Sequence, residues 1–583
     1  MRLVFDIESD GLKEDVTQVW CIGIINIDTG EEVLIESDRL EFGLSVLAKA
    51  TCLIAHNGIN YDLPVLEKLC GFTPDCPVYD TIIMSKMWNA DLTGGHSLES
   101  WGERFKFPKG EHTDWSKYTD AMGEYCLQDC RVTAKVFDYL QSKVDVNDKP
   151  YRLEAAVAKI QAQQEDRGVL FDVKLCQETV NEIRGRMARI SGEVDGVLGY
   201  LPTSPYSATV KPFLKNGKYN NAATSWFGDS VNLVNGEFTR ISWEKVTLDT
   251  KAMLIKRLLA LGWKPTMHTE KGMPQIAVKG DVCPNLLKQG EVFADVGTYF
   301  VLKHRLGLLE GLMKVVRKDN RISSEGDTLG AATGRYTHRK VVNLPAVRSE
   351  YGEVIRSMFY TNRPFKFVGV DLSGIEARML AHYMDDEDFT DTILNGDIHS
   401  FNQQKAGLPT RDAAKTFFYG FAYGAGDEKV GQLVGGGKKE GKKVKDEFLR
   451  SLPKLDGLIK NIKKQAAKGY IVGLDGRKIR IRKDMFTGEY QTHKALNTLL
   501  QSGATIYFKT WMVYVNHYIQ KNEIKAYQLI SMHDELQFEC VDGDVERLTK
   551  VLHKAIEVTD KHFDIKCPNA CEVKIGNNWK DTH

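Results

Sequence analysis

Near the start of the chain, Val4-Phe5-Asp6-Ile7-Glu8 places two acids at i and i+2. Side chains alternate along a strand, so both carboxylates project from one face and repel each other unless a cation joins them. An exposed strand face would put the acids in the same place, with Phe5 and Ile7 buried behind it, so the pair alone decides little. Further on come His56-Asn57-Gly58-Ile59-Asn60-Tyr61-Asp62 and Tyr125-Cys126-Leu127-Gln128-Asp129. Tyr125 and Asp129 are four apart and share a helix face. Asp6, Glu8, Asp62 and Asp129 together could hold two Mg²⁺ ions that activate a water and stabilise a leaving 3′ oxygen, which is phosphodiester cleavage with Tyr125 orienting the water.

A second group stands later. Lys366-Phe367-Val368-Gly369-Val370-Asp371 is an apolar strand ending on an acid, followed by Leu372-Ser373-Gly374 and a helical pattern with Glu376. Tyr527 to Met532, then His533-Asp534-Glu535, then Leu536 to Glu539 read as a hairpin with acids at its tip; turn residues in water would look the same. Between them runs a helix capped by Thr410, in which Arg411, Lys415 and Tyr419 recur every four residues and form one stripe. Two cations and an aromatic hydroxyl on one face suit a triphosphate. A surface helix with snorkelling bases also explains Phe417, Phe418 and Phe421, but does not require Tyr-Gly-x-x-Tyr-Gly.

The elements that must carry these groups follow from pattern. Strands are expected at 2–7, 19–27 and 51–55, and helices at 62–70, 97–105 and 120–142, closing an α/β unit at the linker-like Asp145 to Pro150. Residues 151 to about 200 read as mainly helical and 201–245 as loop; helices return at 249–261 and 296–317. Lys438 to Lys445 carries five lysines and reads as a Gly-rich loop, and Arg477 to Lys483 as a basic strand edge. The chain has 583 residues, with 78 Lys plus Arg against 78 Asp plus Glu, so no global field draws a polyanion and any nucleic-acid surface must come from local segregation of charge. Asp6, Glu8 and Asp10 break the N-terminal apolar stretch, which excludes a signal peptide, and no apolar run spans a bilayer. The eleven cysteines are odd in number and scattered, so reduced thiols in a cytoplasmic protein are expected.

In order, the first three segments resemble the motifs of DEDDy 3′-to-5′ proofreading exonucleases. Thr333-Gly334-Arg335, Val370 to Arg378, Asn395-Gly396-Asp397-Ile398-His399, Arg411 to Gly426, Ala495 to Ser502 and Met532-His533-Asp534-Glu535 resemble the motifs of family A (Pol I-like) DNA polymerases, most closely the replicative enzymes of short-tailed bacteriophages. The resemblance covers nearly the whole chain. It implies a mixed α/β and α+β multidomain protein: an RNase H-like exonuclease domain at 1–148, thumb and connecting helices at 149–330, palm at 331–400, fingers at 401–490 and palm again at 491–583.

It further implies that Asp371 and Asp534, with the Leu372 carbonyl, hold two Mg²⁺ ions. His399, Arg411, Lys415, Tyr419 and Tyr423 would line the incoming nucleotide, with Lys415 the proton donor to pyrophosphate. Glu376 would stand where a ribose 2′ hydroxyl has to go, and Arg335, Gln501 and His533 would touch the primer or the minor groove. Tyr419 is the variant associated with dideoxynucleotide tolerance; Tyr419→Phe is expected to raise discrimination against chain terminators, read as termination ratios. Asn343-Leu344-Pro345 replaces the Gln-Ile-Pro of many relatives, so that contact is not carried over. Residues 201–245 are too short for the thioredoxin-binding insertion of the phage enzymes, and no 5′ nuclease domain is expected. Implied partners are primed DNA, deoxynucleoside triphosphates, a helicase-primase and a single-strand binding protein in a host bacterial cytoplasm, without a membrane; the processivity factor is left open. The rival readings are a DNA-binding exonuclease without synthetic activity and a non-enzymatic DNA clamp.

Overall fold

The computed structural model describes residues 1–203, 209–269, 271–278 and 280–583. The chain divides into two compact units, one of residues 1–171, 316–342 and 359–583, the other of 172–315 and 343–358.

The first unit contains two sheets that matter for the chemistry. In the N-terminal sheet, Arg2–Ser9 is the central strand, antiparallel to Val19–Asn26 and parallel to Cys52–Ala55; Glu31–Glu36 and Val78–Asp80 form the edges. Alternation works as expected: Leu3, Phe5 and Ile7 enter one apolar cluster while Val4 enters another. Helices Asp62–Cys70 and Asp120–Gln141 bring in the other acids. Helix Asp62–Cys70 ends at Gly71, whose φ of 65° closes it. The expected elements of this part are present; the strands Glu31–Glu36 and Val78–Asp80 and helices Leu40–Leu47 and Thr81–Trp88 were not foreseen.

The second sheet is antiparallel, in the order Ala526–Met532, Glu535–Val541, Phe365–Leu372, Cys571–Gly576. Val368, Val370 and Leu372 are buried in a cluster that also takes Phe417, Phe418 and Phe421 from helix Arg411–Ala422 and Trp511 from helix Ala495–Lys521. That cluster fixes helix Arg411–Ala422 relative to the strand with Asp371. Thr410 caps the helix, its hydroxyl accepting from the Ala413 amide at 3.1 Å.

Two expectations fail. Lys438 to Lys445 is not a loop but the start of helix Lys438–Ser451. Its glycines serve close approach: a Cβ on Gly441 would meet the Asp427 carbonyl at 1.9 Å. Residues 201–245 are not one loop either: strands Tyr200–Thr203 and Ser242–Lys245 pair, and Asn220 caps helix Asn221–Phe227, while 204–208 lie outside the described residues.

In the second unit, the long helices Val173–Leu198 and Glu291–Met313 pack together, and the buried Arg305 donates to the Glu350 carbonyl at 3.1 Å. The eleven cysteines are free. No helix of the described residues is long and apolar enough to cross a membrane.

Candidate active sites

Asp6, Glu8, Asp62 and Asp129 line one cleft of about 730 Å³ together with Tyr125, so the four acids and the tyrosine read from sequence do converge. Ligating atoms of Asp6, Glu8 and Cys126 lie within 4.8 Å of one another. The Ile7 amide donates to Asp62 Oδ1 at 3.1 Å, tying the helix start to the strand. Burial, followed by the charges of Asp62, Glu8 and Asp129, pushes Asp6 well above the usual carboxylate range. Burial also lifts Glu8 and Asp62 to about 7 each and raises Asp129. Asp129 Oδ1 is buried with no hydrogen-bond partner. Crowded, desolvated carboxylates with an unused acceptor form the donor set of a hard divalent cation.

The cost of this crowding is measurable. A carboxyl raised on folding destabilises the fold above its folded value and is neutral well below its unfolded one. The penalty from Asp62 is therefore complete above pH 7, declines as pH falls, and is gone once the carboxyl is protonated in both states. Asn keeps an acceptor for the Ile7 amide, so Asp62→Asn without metal should gain about 2 kcal/mol at pH 8 and nothing near pH 3. Denaturant unfolding in EDTA at both pH values checks this.

Sequence reasoning missed a cation that touches the acids of this cleft. Lys109 Nζ stands 2.5 Å from Asp129 Oδ2 and 4.6 Å from the centre of the Tyr125 ring. It lies in the stretch between helices Leu98–Phe105 and Asp120–Gln141, where no periodicity marks it. The same stretch supplies Trp115, whose Nε1 donates to Glu8 Oε2 at 3.1 Å. An ammonium on the Asp129 carboxylate would compete with a divalent cation there. Lys109→Met should shift the divalent-ion dependence of 3′ trimming to concentrations about tenfold lower, with primer extension unchanged.

Asp371 and Asp534 meet at the end of the second sheet. Asp371 pairs in register with Glu535, and the Leu372 amide donates to the Asp534 carbonyl at 3.1 Å. Partial desolvation, then the charges of Asp534 and Glu535, lifts Asp371 to about 7, and burial raises Asp534. Glu535 is occupied elsewhere: it accepts from Trp579 Nε1 at 2.7 Å and lies 3.1 Å from His583 Nδ1. Two neighbouring acids whose burial raises their affinity for protons also suit a divalent cation. His533 occupies the turn at φ 57°, its ring 5.7 Å from that of His338; burial, then the charge of Arg335, lowers its proton affinity, and Arg335 offsets a part of the rise at Asp534.

Arg411 and Lys415 are exposed on helix Arg411–Ala422, and Tyr419 is half-buried with its ring 6.1 Å from His399. Arg411 is held by Asp397, Nε at 2.6 Å and Nη2 at 3.1 Å. Asp397 also caps the helix carrying His399, accepting from the His399 amide at 3.0 Å; this double role went unread in the sequence. His399 Nδ1 is buried and unpartnered. Tyr423 Oη donates to the Glu376 carboxylate. Gln501 is half-buried on helix Ala495–Lys521.

A buried ionic network supports the loop before Arg335. Lys509 Nζ donates to Glu154 Oε2 at 2.6 Å, the Thr328 carbonyl at 2.7 Å and the Gly334 carbonyl at 2.9 Å, so all three of its protons are used. Glu154 Oε1 accepts from Arg477 Nη1 at 2.6 Å. Arg477 is thus structural, while Lys478 and Arg480 of the basic hairpin remain exposed.

Comparison with known proteins agrees with this geometry. The signature of DNA polymerase family A matches residues 218–581, and that of the RNase H superfamily matches residues 3–141. The DNA-directed DNA polymerase of Escherichia phage T7 is 29% identical over 716 aligned positions covering all of both chains, and that of Escherichia phage Phieco32 is 30% identical over 75% of this chain and 89% of its own. The POL domain of Pol1 from M. smegmatis, solved with DNA primer-template and dNTP, superposes with a TM-score of 0.75 at 19% identity, covering 99% of this chain and 96% of that one. The chain belongs to DNA polymerase family A and is a template-directed DNA polymerase with an RNase H-like exonuclease domain.

Proposed function

We propose that the protein replicates DNA by adding deoxynucleotides to a primer 3′ end at Asp371 and Asp534, and proofreads by 3′-to-5′ trimming at Asp6, Glu8, Asp62 and Asp129. The observation that best supports the synthetic site is the hydrogen bond from the Leu372 amide to the Asp534 carbonyl, which joins two segments distant in sequence at the sheet end where the acids stand. Mg²⁺, two ions per site and with the Leu372 carbonyl as a further ligand in the palm, would supply Lewis-acid activation of the attacking oxygen and charge stabilisation of the leaving one.

The chain's own groups do the rest. Arg411 exchanges Asp397 for a triphosphate oxygen, a contact between like partners in which the carboxylate holds the guanidinium ready. Lys415, which makes no ion pair among the described residues, pairs with the same triphosphate and returns a proton to the leaving pyrophosphate. Tyr419 and His399 flank the sugar and base. Glu376, fixed by Tyr423, closes the space that a ribose 2′ hydroxyl needs. Arg335, Gln501 and His533 grip the primer and the minor groove. In the trimming site Tyr125 orients the attacking water. Helicase-primase and single-strand binding protein are the partners that replication calls for, and a bacterial cytoplasm is the setting.

Primer extension on a primed template with Mg²⁺ and all four deoxynucleotides tests the proposal. Trimming without any extension would instead favour a DNA-binding exonuclease.

A further inference from the structure

One donor beside the trimming acids is of a different chemical kind. Cys126 follows Tyr125 on helix Asp120–Gln141, which packs against strand Arg2–Ser9, and it is fully buried behind the cleft. Its Sγ donates to the Asp6 carbonyl at 3.4 Å and stands 3.8 Å from Asp6 Oδ2. With Asp6 and Glu8 it forms the one group of three His, Cys, Asp or Glu side chains among the described residues whose ligating atoms gather within 4.8 Å. Zinc sits about 2.0–2.2 Å from a carboxylate oxygen and about 2.3 Å from a thiolate, so a tetrahedral ion holds an oxygen and a sulfur ligand about 3.5 Å apart. The spacing of Asp6 and Cys126 is already close to that of two ligands on one ion.

Asp129 supplies a second, independent observation. It lies one helical turn beyond Cys126 and so shares its face of the helix. Only 4% of Asp129 is exposed, and its Oδ1 is buried without a hydrogen-bond partner while Lys109 holds Oδ2. An acceptor stranded in this way is costly unless a cation takes it. The neighbouring Cys21 thiol, burial and the charge of Asp6 favour the protonated form of Cys126. A hard ion such as Mg²⁺ binds the oxygens and leaves that proton in place. A thiophilic ion takes the sulfur: the S–H bond breaks as the metal–sulfur bond forms, and the proton passes to the buffer.

We propose that Asp6, Glu8, Cys126 and Asp129 form a site for a thiophilic divalent cation, zinc or cadmium, and that an ion held there stops trimming. This role rests on the assignment of trimming to the same acids. Four protein donors close a tetrahedral ion and leave it no position for an attacking water, whereas Mg²⁺ held by oxygens alone keeps waters of its own. Asp371 and Asp534 belong to no such three-donor group among the described residues, so extension continues. Zinc would then separate the two activities of one chain.

The test titrates the full chain, thiols reduced and DNA absent, with Cd²⁺ in excess Mg²⁺, and reads the ultraviolet sulfur-to-cadmium charge-transfer band. The tightest step of that band should saturate at about one equivalent and vanish in Cys126→Ser. Asp6→Asn keeps the thiol and loses a carboxylate; it should lose the same step, and it decides the matter where Cys126→Ser does not fold. Asp371→Ala should keep the step, which separates it from background binding at Cys571, 3.5 Å from His553 near the other acids. Zinc affinity, measured by competition with a chromophoric chelator, should fall about tenfold or more in Cys126→Ser and in Glu8→Gln. On a primed template with Mg²⁺, zinc that saturates this step should stop trimming and leave extension running. A cadmium step that Cys126→Ser and Asp6→Asn both keep, or a zinc affinity that Cys126→Ser leaves unchanged, overturns the site. Trimming that continues once the site is saturated overturns its effect. Absence of Mg²⁺-dependent trimming by the unaltered chain, with the cadmium step present, would count against the trimming assignment instead.

Discussion

Asp371→Ala and Asp534→Ala each lower primer extension by about a thousandfold or more, while 3′ trimming of a single strand by the same proteins stays at the level of the unaltered chain. Asp6→Ala gives the reverse. The separation follows from the fold. Asp371 lies on a strand of the sheet formed by 365–372, 526–532, 535–541 and 571–576 and Asp534 in the turn between two of those strands, whereas Asp6 and Glu8 lie on Arg2–Ser9 and Asp62 and Asp129 on helices Asp62–Cys70 and Asp120–Gln141. The two carboxylate sets share no strand and no helix. Removing one acid from a pair leaves its neighbour less able to fix charge at the reacting phosphate, and the remaining residues compensate little, because positioning groups that act as a unit fail as a unit. Extension that survives Asp371→Ala, measured with exonuclease-resistant primers, would contradict the assignment.

How far the sequence reached depended on whether the information was local. Asp6 and Glu8 were readable because strand alternation alone puts them on one face, and Thr410 with Arg411, Lys415 and Tyr419 because a cap and a four-residue repeat define a helix and its stripe. Asp371 and Asp534 could be named by resemblance, but their meeting is a matter of sheet register. Lys109 and Trp115 were missed, and the role of Asp397 within its motif went unread, because their importance comes from a partner brought in by the fold, Asp129, Glu8 and Arg411 respectively. The lysines at 438–445 were misread for the opposite reason: local composition spoke for a loop. The glycines were there to let helices Asp427–Leu433 and Lys438–Ser451 touch, and Glu440 caps the second through the Gly437 amide at 2.8 Å.

Lys509→Met is expected to cost about 3–5 kcal/mol of stability, the largest structural effect of any single change considered. Lys509 and Glu154 are both fully buried, so the substitution leaves a carboxylate with only Arg477 to balance it and deprives the Thr328 and Gly334 carbonyls of their donor. Glu154→Gln should be comparably harmful, since it strands the buried Lys509 ammonium and leaves Arg477 with Asp475 alone. The double variant should lose less than the sum of the two, because neither charge is then left facing an empty place. Denaturant midpoints of the three proteins check the cycle. Because the Gly334 carbonyl is one of the anchors, the surviving folded fraction of Lys509→Met should also show a raised KM for primed template with kcat for a bound primer less affected.

The network has a bearing on where this polypeptide may be shortened. Glu154 lies on helix Lys149–Arg167, the next helix after Asp120–Gln141, yet its carboxylate is spent on Lys509 and Arg477. An engineer who wants a polymerase free of trimming activity and deletes through residue 171 removes the counter-ion of two buried cations. A fragment starting at Lys149 keeps it.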